Sequence, residues 1–424
     1  MEIKQHVQKI AGLTVHTIRT VKYKTNTLVL RMKAPLSLGT VSYRALLPYV
    51  LQSGTKTLPS VKAVREYVED MYGASLAVDV SKKGEEHIIS LYMDVANEIY
   101  LHDAPPLLEK AISMLADVLQ RPAIEDGIFL STIVEAEKRA LIQRIDSIYD
   151  DKMRYASERL IQEMCQNEDY RYSSNGTKEE VSTITPTSLF QYYQKALAED
   201  EIDLYLVGDL PEETDLLVQK YFDLPERKLN ERHGSYVRTT VQKEKEVIEQ
   251  QDIKQSKLHI GYRTNITYKD EAYFALQVFN GLFGGFSHSK LFVNVREKNS
   301  LAYYAASRYE SHKGLLFVMS GIQASNYEKA LSIIKEQLEA MQSGDFTEED
   351  LIQTKAVIVN QILETIDTPR GLIEILYHNV VSGVERSMEQ WIPEINKVTK
   401  EEVIAAAKNI MMDTVYLLRG SEEG

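Results

Sequence analysis

LEKAISMLADVLQ, residues 108–120, returns as YEKALSIIKEQLE at residues 327–339. Leu108, Ile112, Leu115 and Leu119 in the first copy recur at three- and four-residue intervals, as do Leu331, Ile334 and Leu338 in the second. That spacing puts each set on one face of a helix. The chain around the pair repeats as well. ITPTSLFQYYQKAL (184–197) matches VTKEEVIAAAKNIM (398–411), and each runs into a short apolar strand, IDLYLVGD at 202–209 and TVYLLRGS at 414–421. The offsets of 219, 214 and 212 residues hold register apart from small loop changes. A period this long marks a duplicated domain and not a solenoid.

The 424 residues are enough for two such domains with full cores. The join reads as the polar stretch LPERKLNERHGSYVRTTVQKEKE at 224–246, which leaves domains at 1–223 and 247–424. Inside the first, GLTVHTIRTVKYKTNTLVLRMKAP (12–35) carries two strands with β-branched alternation. VKAVREYVEDMYG (61–73) is amphipathic, and ASLAVDVSKKGEEHIISLYMDV (74–95) reads as a hairpin turning at Lys83-Gly84. Helices are expected at about 106–120, 124–147 and 150–165. Strands set apart from runs of helices predict an α+β fold, each domain an antiparallel or mixed sheet with helices packed on it.

Composition narrows the function. An apolar fraction of 44 % and a charged fraction of 26 % are those of a soluble globular chain. The net charge of -13 argues against a nucleic-acid binder, because phosphate contacts need clustered positive charge. Cys165 is the only cysteine, so there is no intrachain disulfide and no thiolate zinc cluster. The first residues, MEIKQHVQKIAGLTV, lack the apolar core of a signal peptide, and no apolar run approaches the roughly 18 residues of a membrane helix. The expectation is a cytoplasmic protein without a membrane partner.

Five landmarks in order, LQSGTKTLPS (51–60), VEAEKRALIQRI (134–145), SSNGTKEEVSTIT (173–185), YLVGDLP (205–211) and VREKNSLAYY (295–304), run over nearly the whole chain. Together with the duplication, they make the sequence resemble the pitrilysin-type inverzincin metallopeptidases, in the bacterial branch similar to mitochondrial processing peptidase. That family's motif is His-x-x-Glu-His on its first helix. Histidines four apart grip one zinc, and the glutamate between them is general base to the metal-bound water. In VSYRALLPYVLQSGTKT (41–57), anchoring on Gly54-Thr55 brings those positions onto Ala45, Pro48 and Tyr49. Alanine has no donor atom and proline takes no proton. A proline inside a helix costs about 3 kcal/mol unless the helix kinks. None of the nine histidines elsewhere forms such a pattern. No metal is therefore expected in this chain. The resemblance puts the third-ligand counterpart at Glu135 of VEAEKRA, 86 residues beyond Tyr49.

The resemblance also implies an arginine and a tyrosine, seven residues apart in the second half, that hold the substrate backbone beside the zinc. They match Arg296 and Tyr303. Guanidinium and phenol are both donors, and that task requires no metal. DEAYFALQVFNGLFGG (270–285) is the counterpart of the opening helix, with Ala275, Val278 and Phe279 at the motif positions. Gly281, Gly284 and Gly285 fit no phosphate cradle and read as packing or turn residues. His288 reads as a solvated turn histidine. The resemblance thus implies a zinc-less subunit that binds peptide or unfolded protein and completes the active site of a homologous zinc-bearing partner in a heterodimer. A purely structural or peptide-binding homologue with no part in catalysis is the second reading it leaves open.

Overall fold

The computed structural model describes residues 4–225 and 238–420. The strands are β1 (Gln5–Ile10), β2 (Leu13–Arg19), β3 (Thr25–Pro35), β4 (Ser75–Lys83), β5 (Glu86–Ala96), the short hairpin β6 (Ile124–Glu125) and β7 (Ile128–Phe129), β8 (Glu201–Gly208), β9 (Lys245–Gln250), β10 (Ser256–Arg263), β11 (Ala302–Glu310), β12 (Leu315–Ile322) and β13 (Met411–Arg419). They form a six-stranded sheet, β1-β2-β8-β3-β5-β4, and a five-stranded sheet, β11-β12-β10-β13-β9. Without β1, the first reads β2-β8-β3-β5-β4. The second, taken from its other edge, reads β9-β13-β10-β12-β11. The two orders correspond strand for strand, including the one parallel pairing each contains, β2 with β8 and β9 with β13.

The first half adds helices α1 (Leu38–Gln52), α2 (Val61–Glu69), α3 (Leu107–Gln120), α4 (Ser131–Asp150), α5 (Lys152–Met164), α6 (Lys178–Thr183), α7 (Pro186–Glu199) and α8 (Thr214–Tyr221). The second adds α9 (Tyr273–Asn280), α10 (Tyr327–Ser343), α11 (Glu348–Ile366), α12 (Pro369–Ser382), α13 (Met388–Lys397) and α14 (Lys400–Lys408). The repeated sequences fall on α3 and α10, α7 and α14, β8 and β13. Thr185 caps α7 and Thr399 caps α14, each accepting from the amide three residues on. The α+β class and the duplication stand as expected.

Two local expectations need correction. Residues 124–129 form a hairpin and not the start of a helix, because Asp126 and Gly127 both take positive φ, 51° and 78°, which makes a tight reversal. The polar stretch read as the join ends inside β9, where Lys245 and Glu246 already pair with Thr414 and Val415. Its middle lies outside the described residues.

One face of each sheet packs on helices of its own half, and the other face receives a helix from the opposite half. Ala156, Leu160 and Met164 of α5 pack on Leu315, Phe317, Tyr416 and Leu418 of β12 and β13. Leu372, Leu376 and Tyr377 of α12 pack on Ile18, Val29, Tyr205 and Val207 of the first sheet. The helices correspond in the repeat, so the exchange is reciprocal. Residues 1–225 made alone would leave apolar faces of both α5 and the sheet in water. That fragment is expected to aggregate or to lose cooperative thermal unfolding, and co-expression with 238–420 to restore one transition, as calorimetry would show.

Histidines also line the junction. His312 and His378 share a hydrogen bond of 2.7 Å, with Tyr268 stacked on both rings. Burial holds the His378 imidazole down at about 3, helped by Lys83. It also holds His312 well below its ordinary value, with His378 and Lys83 adding to the effect. The unfolded chain takes up these protons near pH 6.5 while the folded chain stays neutral. Below that pH the unfolded state binds more protons, so stability falls on acidification by about 1.4 kcal/mol per pH unit for each histidine. Urea midpoints between pH 7 and pH 5 should fall less steeply in His378→Gln than in the wild type.

Candidate functional site

The helix at the family's metal position is built for packing. Ala45, Leu46, Leu47 and Leu51 are fully buried in the first core. Pro48 is buried and α1 runs through it unbroken, although the Arg44 carbonyl loses its usual donor. Tyr49 is half-buried, and the Arg144 guanidinium of α4 lies 3.9 Å from its ring centre. Burial raises the Tyr49 phenol above its ordinary value, against the opposing pull of Arg144. The three motif positions thus offer no set of donors, and zinc does not fit them. Among the described residues, no group of three His, Cys, Asp or Glu side chains is placed to hold a metal ion.

Glu135 is 49 % exposed and bonds Lys138 at 3.2 Å. The α4 carboxylate that reaches α1 is Glu137, which accepts from the Ser53 hydroxyl at 2.8 Å. Arg144, seven residues further, shares that face. Neither residue stands out from the sequence motifs. The signal for them was present, since Glu137, the buried Leu141 and Arg144 stand at helical spacing.

Arg296 and Tyr303 lie on either side of one reversal. Arg296 belongs to a wide helical turn over Phe292–Lys298, and Tyr303 to β11. Val295 and Leu301 are buried, and the Leu301 amide donates to the Val295 carbonyl at 3.0 Å. The Asn299 side-chain amide donates to the Asn294 carbonyl at 2.8 Å and stiffens the turn. With these anchors in place, the Arg296 and Tyr303 side chains face outward. Arg296 is exposed, its guanidinium 4.7 Å from the Phe292 ring centre, and Tyr303 is 78 % exposed. Neither has a hydrogen-bond or ion-pair partner among the described residues. β11 is also an edge strand, with β12 as its only neighbour in the sheet.

Nearby features are structural. A Cβ at Gly284 would come within 2.6 Å of the Ser307 hydroxyl, so this glycine permits a close approach of turn and strand. His288 shares a 2.9 Å hydrogen bond with Thr354. Burial pushes the Cys165 thiol up to about 12, which keeps it unreactive. A cavity of about 760 Å³ opens between the halves, but its Arg263 and Lys313 are paired with Glu168, Asp413 and Glu85. It is an ionic seam joining the two halves.

A duplicated sheet-and-helix chain whose first helix packs as core, without zinc ligands at the motif positions, defines a metallopeptidase-like protein. The family described as Peptidase M16 inactive domain matches residues 183–358, a span that holds Arg296 and Tyr303 and excludes α1. A Bacillus subtilis protein called probable inactive metalloprotease YmfF is 52 % identical over 415 residues, covering 98 % of this chain and 97 % of that one. The crystal structure of a conserved protein from Enterococcus faecalis superposes with a TM-score of 0.91 at 35 % identity, covering 99 % of both chains. A peptidase M16 inactive domain from Pseudomonas fluorescens shares the fold, with a TM-score of 0.81 at 17 % identity over 99 % of each chain. The chain belongs to the M16, pitrilysin-type peptidase family, among its inactive members. No described helix is long and apolar enough to cross a membrane.

Proposed function

We propose that this chain is the zinc-less subunit of a two-chain peptidase. A homologous partner with an intact His-x-x-Glu-His helix supplies metal and general base. This chain supplies Arg296 and Tyr303, which hold the peptide backbone and donate to the oxyanion that forms at the scissile carbonyl. The observation that carries the reading is the contrast between the two half-sites. Ala45 and Pro48 are internal packing, while Arg296 and Tyr303 stand exposed on a braced turn, with no hydrogen-bond or ion-pair partner among the described residues. The position of β11 at the edge of its sheet supports an extended peptide as ligand, added as a further strand by main-chain hydrogen bonds.

The test is reconstitution. This chain and a His-x-x-Glu-His homologue from the same organism are purified separately and together, then assayed for zinc and for cleavage of unstructured peptides. The reading expects no zinc and no cleavage from this chain alone, and a mixed complex whose activity exceeds that of the partner alone. A partner equally active without this chain would favour the purely structural alternative.

A further inference from the structure

The family likeness calls for a zinc ion that the residues here do not fit, and the way they fail to fit is informative. On α4, Glu137, Leu141 and Arg144 recur at four and three residues and face α1. Glu135, nine residues before Arg144, is two and a half turns away and points from the opposite side. The residue that α4 brings to Tyr49 is therefore an arginine. We propose that Arg144 takes the charge position of the lost metal, its guanidinium clamped on the Tyr49 ring so that it ties α4 to α1 and bars a divalent cation.

Three observations support this. The Arg144 Nη1 atom is buried without a hydrogen-bond partner, and the guanidinium carbon lies 3.9 Å from the Tyr49 ring centre, in reach of a cation–π contact. The carboxylates of Asp79 and Glu137 act on the Tyr49 phenol, and Asp79 also interacts with Arg144. An anionic surround that a metal could have balanced thus faces the Arg144 guanidinium, with Arg31 also acting on Asp79. Finally, the site is not filled in. A groove of about 410 Å³ borders Tyr49, Ser53 and Glu137, so exclusion rests on charge and missing donors more than on bulk. A dication beside the guanidinium would meet like-charge repulsion at close range. The inference stands whether or not a partner subunit exists.

Two variants test it. A45H/P48E/Y49H restores the motif but keeps Arg144, and A45H/P48E/Y49H/R144E also replaces the cation by a carboxylate. Zinc content after dialysis, and titration with zinc chloride alone, should show no stoichiometric metal in the first and one zinc in the second, bound at least about 100-fold tighter. Equal zinc binding by both would overturn the proposal, as would a folded second variant that binds none. A further check does not depend on those core changes. In a thermal-unfolding cycle, Tyr49→Leu and Arg144→Met should each lower Tm, and the double variant should fall no further than the worse single one. Strictly additive losses would show that ring and guanidinium do not act together, and would equally sink the idea.

Discussion

In the reconstituted pair, Tyr303→Phe is expected to cut turnover about 10²- to 10³-fold, the usual cost of losing one donor to an oxyanion. The substitution removes a single hydroxyl. Because Tyr303 is 78 % exposed and its hydroxyl bonds none of the described residues, stability, zinc content and assembly should not change. The loss should therefore fall on kcat with KM nearly constant, as for an interaction made only in the transition state. Arg296→Ala should lose as much in kcat/KM but with a raised KM, because the guanidinium also holds the ground-state backbone. Arg296→Lys should recover only part, since an ammonium keeps the charge and loses the fork. Steady-state kinetics on the mixed complex separate the two effects. Should Tyr303→Phe leave a folded, zinc-loaded pair at the wild-type rate, the tyrosine has no part in the chemistry.

The duplication was legible because a helix period and a strand period are local, and two copies of each confirm one another. Strand order was not read from the sequence; the repeat shows itself in it only once the sheets are seen. The exchange of α5 and α12 was not legible. Local pattern tells that Leu160 and Leu376 face something apolar, and cannot tell which sheet lies there. The 124–129 hairpin was lost for the opposite reason, since the Asp126-Gly127 turn was in plain view beside a long helical pattern and was absorbed into it. The candidate site divides in the same way. Arg296 and Tyr303 were singled out because the landmarks around them are dense, and the fold leaves both side chains exposed. Glu135 follows from its neighbours in sequence, but a helix presents residues by angle, and α4 turns Glu137 and Arg144 to α1. Arg44 carries no signal of its own. A charge inside an apolar run reads as a surface residue until the fold shows it at zero exposure.

Arg44→Met should be the most destabilising single change in the first half. The Arg44 guanidinium donates to the Asp200 carboxylate at 2.5 Å and to the Met32 and His87 carbonyls at 2.9 and 3.0 Å. It thereby fixes α1 to β3, β5 and the end of α7. Methionine fills most of the volume but leaves a buried carboxylate without its cation and two carbonyls without that donor. Breaking a buried pair in this way costs about 3–5 kcal/mol, against about 0–1 kcal/mol for an exposed one. Lys178→Met is the control, because its bond to Asp146 lies in solvent with both side chains at least half exposed. Urea unfolding should show a large drop for Arg44→Met and almost none for Lys178→Met. Adding Asp200→Asn to Arg44→Met should return part of the loss, because it removes the buried charge that Arg44 had faced while keeping the shape. If Arg44→Met unfolds at the same urea concentration as the control, the α1 helix is held by its apolar face alone and the buried pair contributes nothing to it.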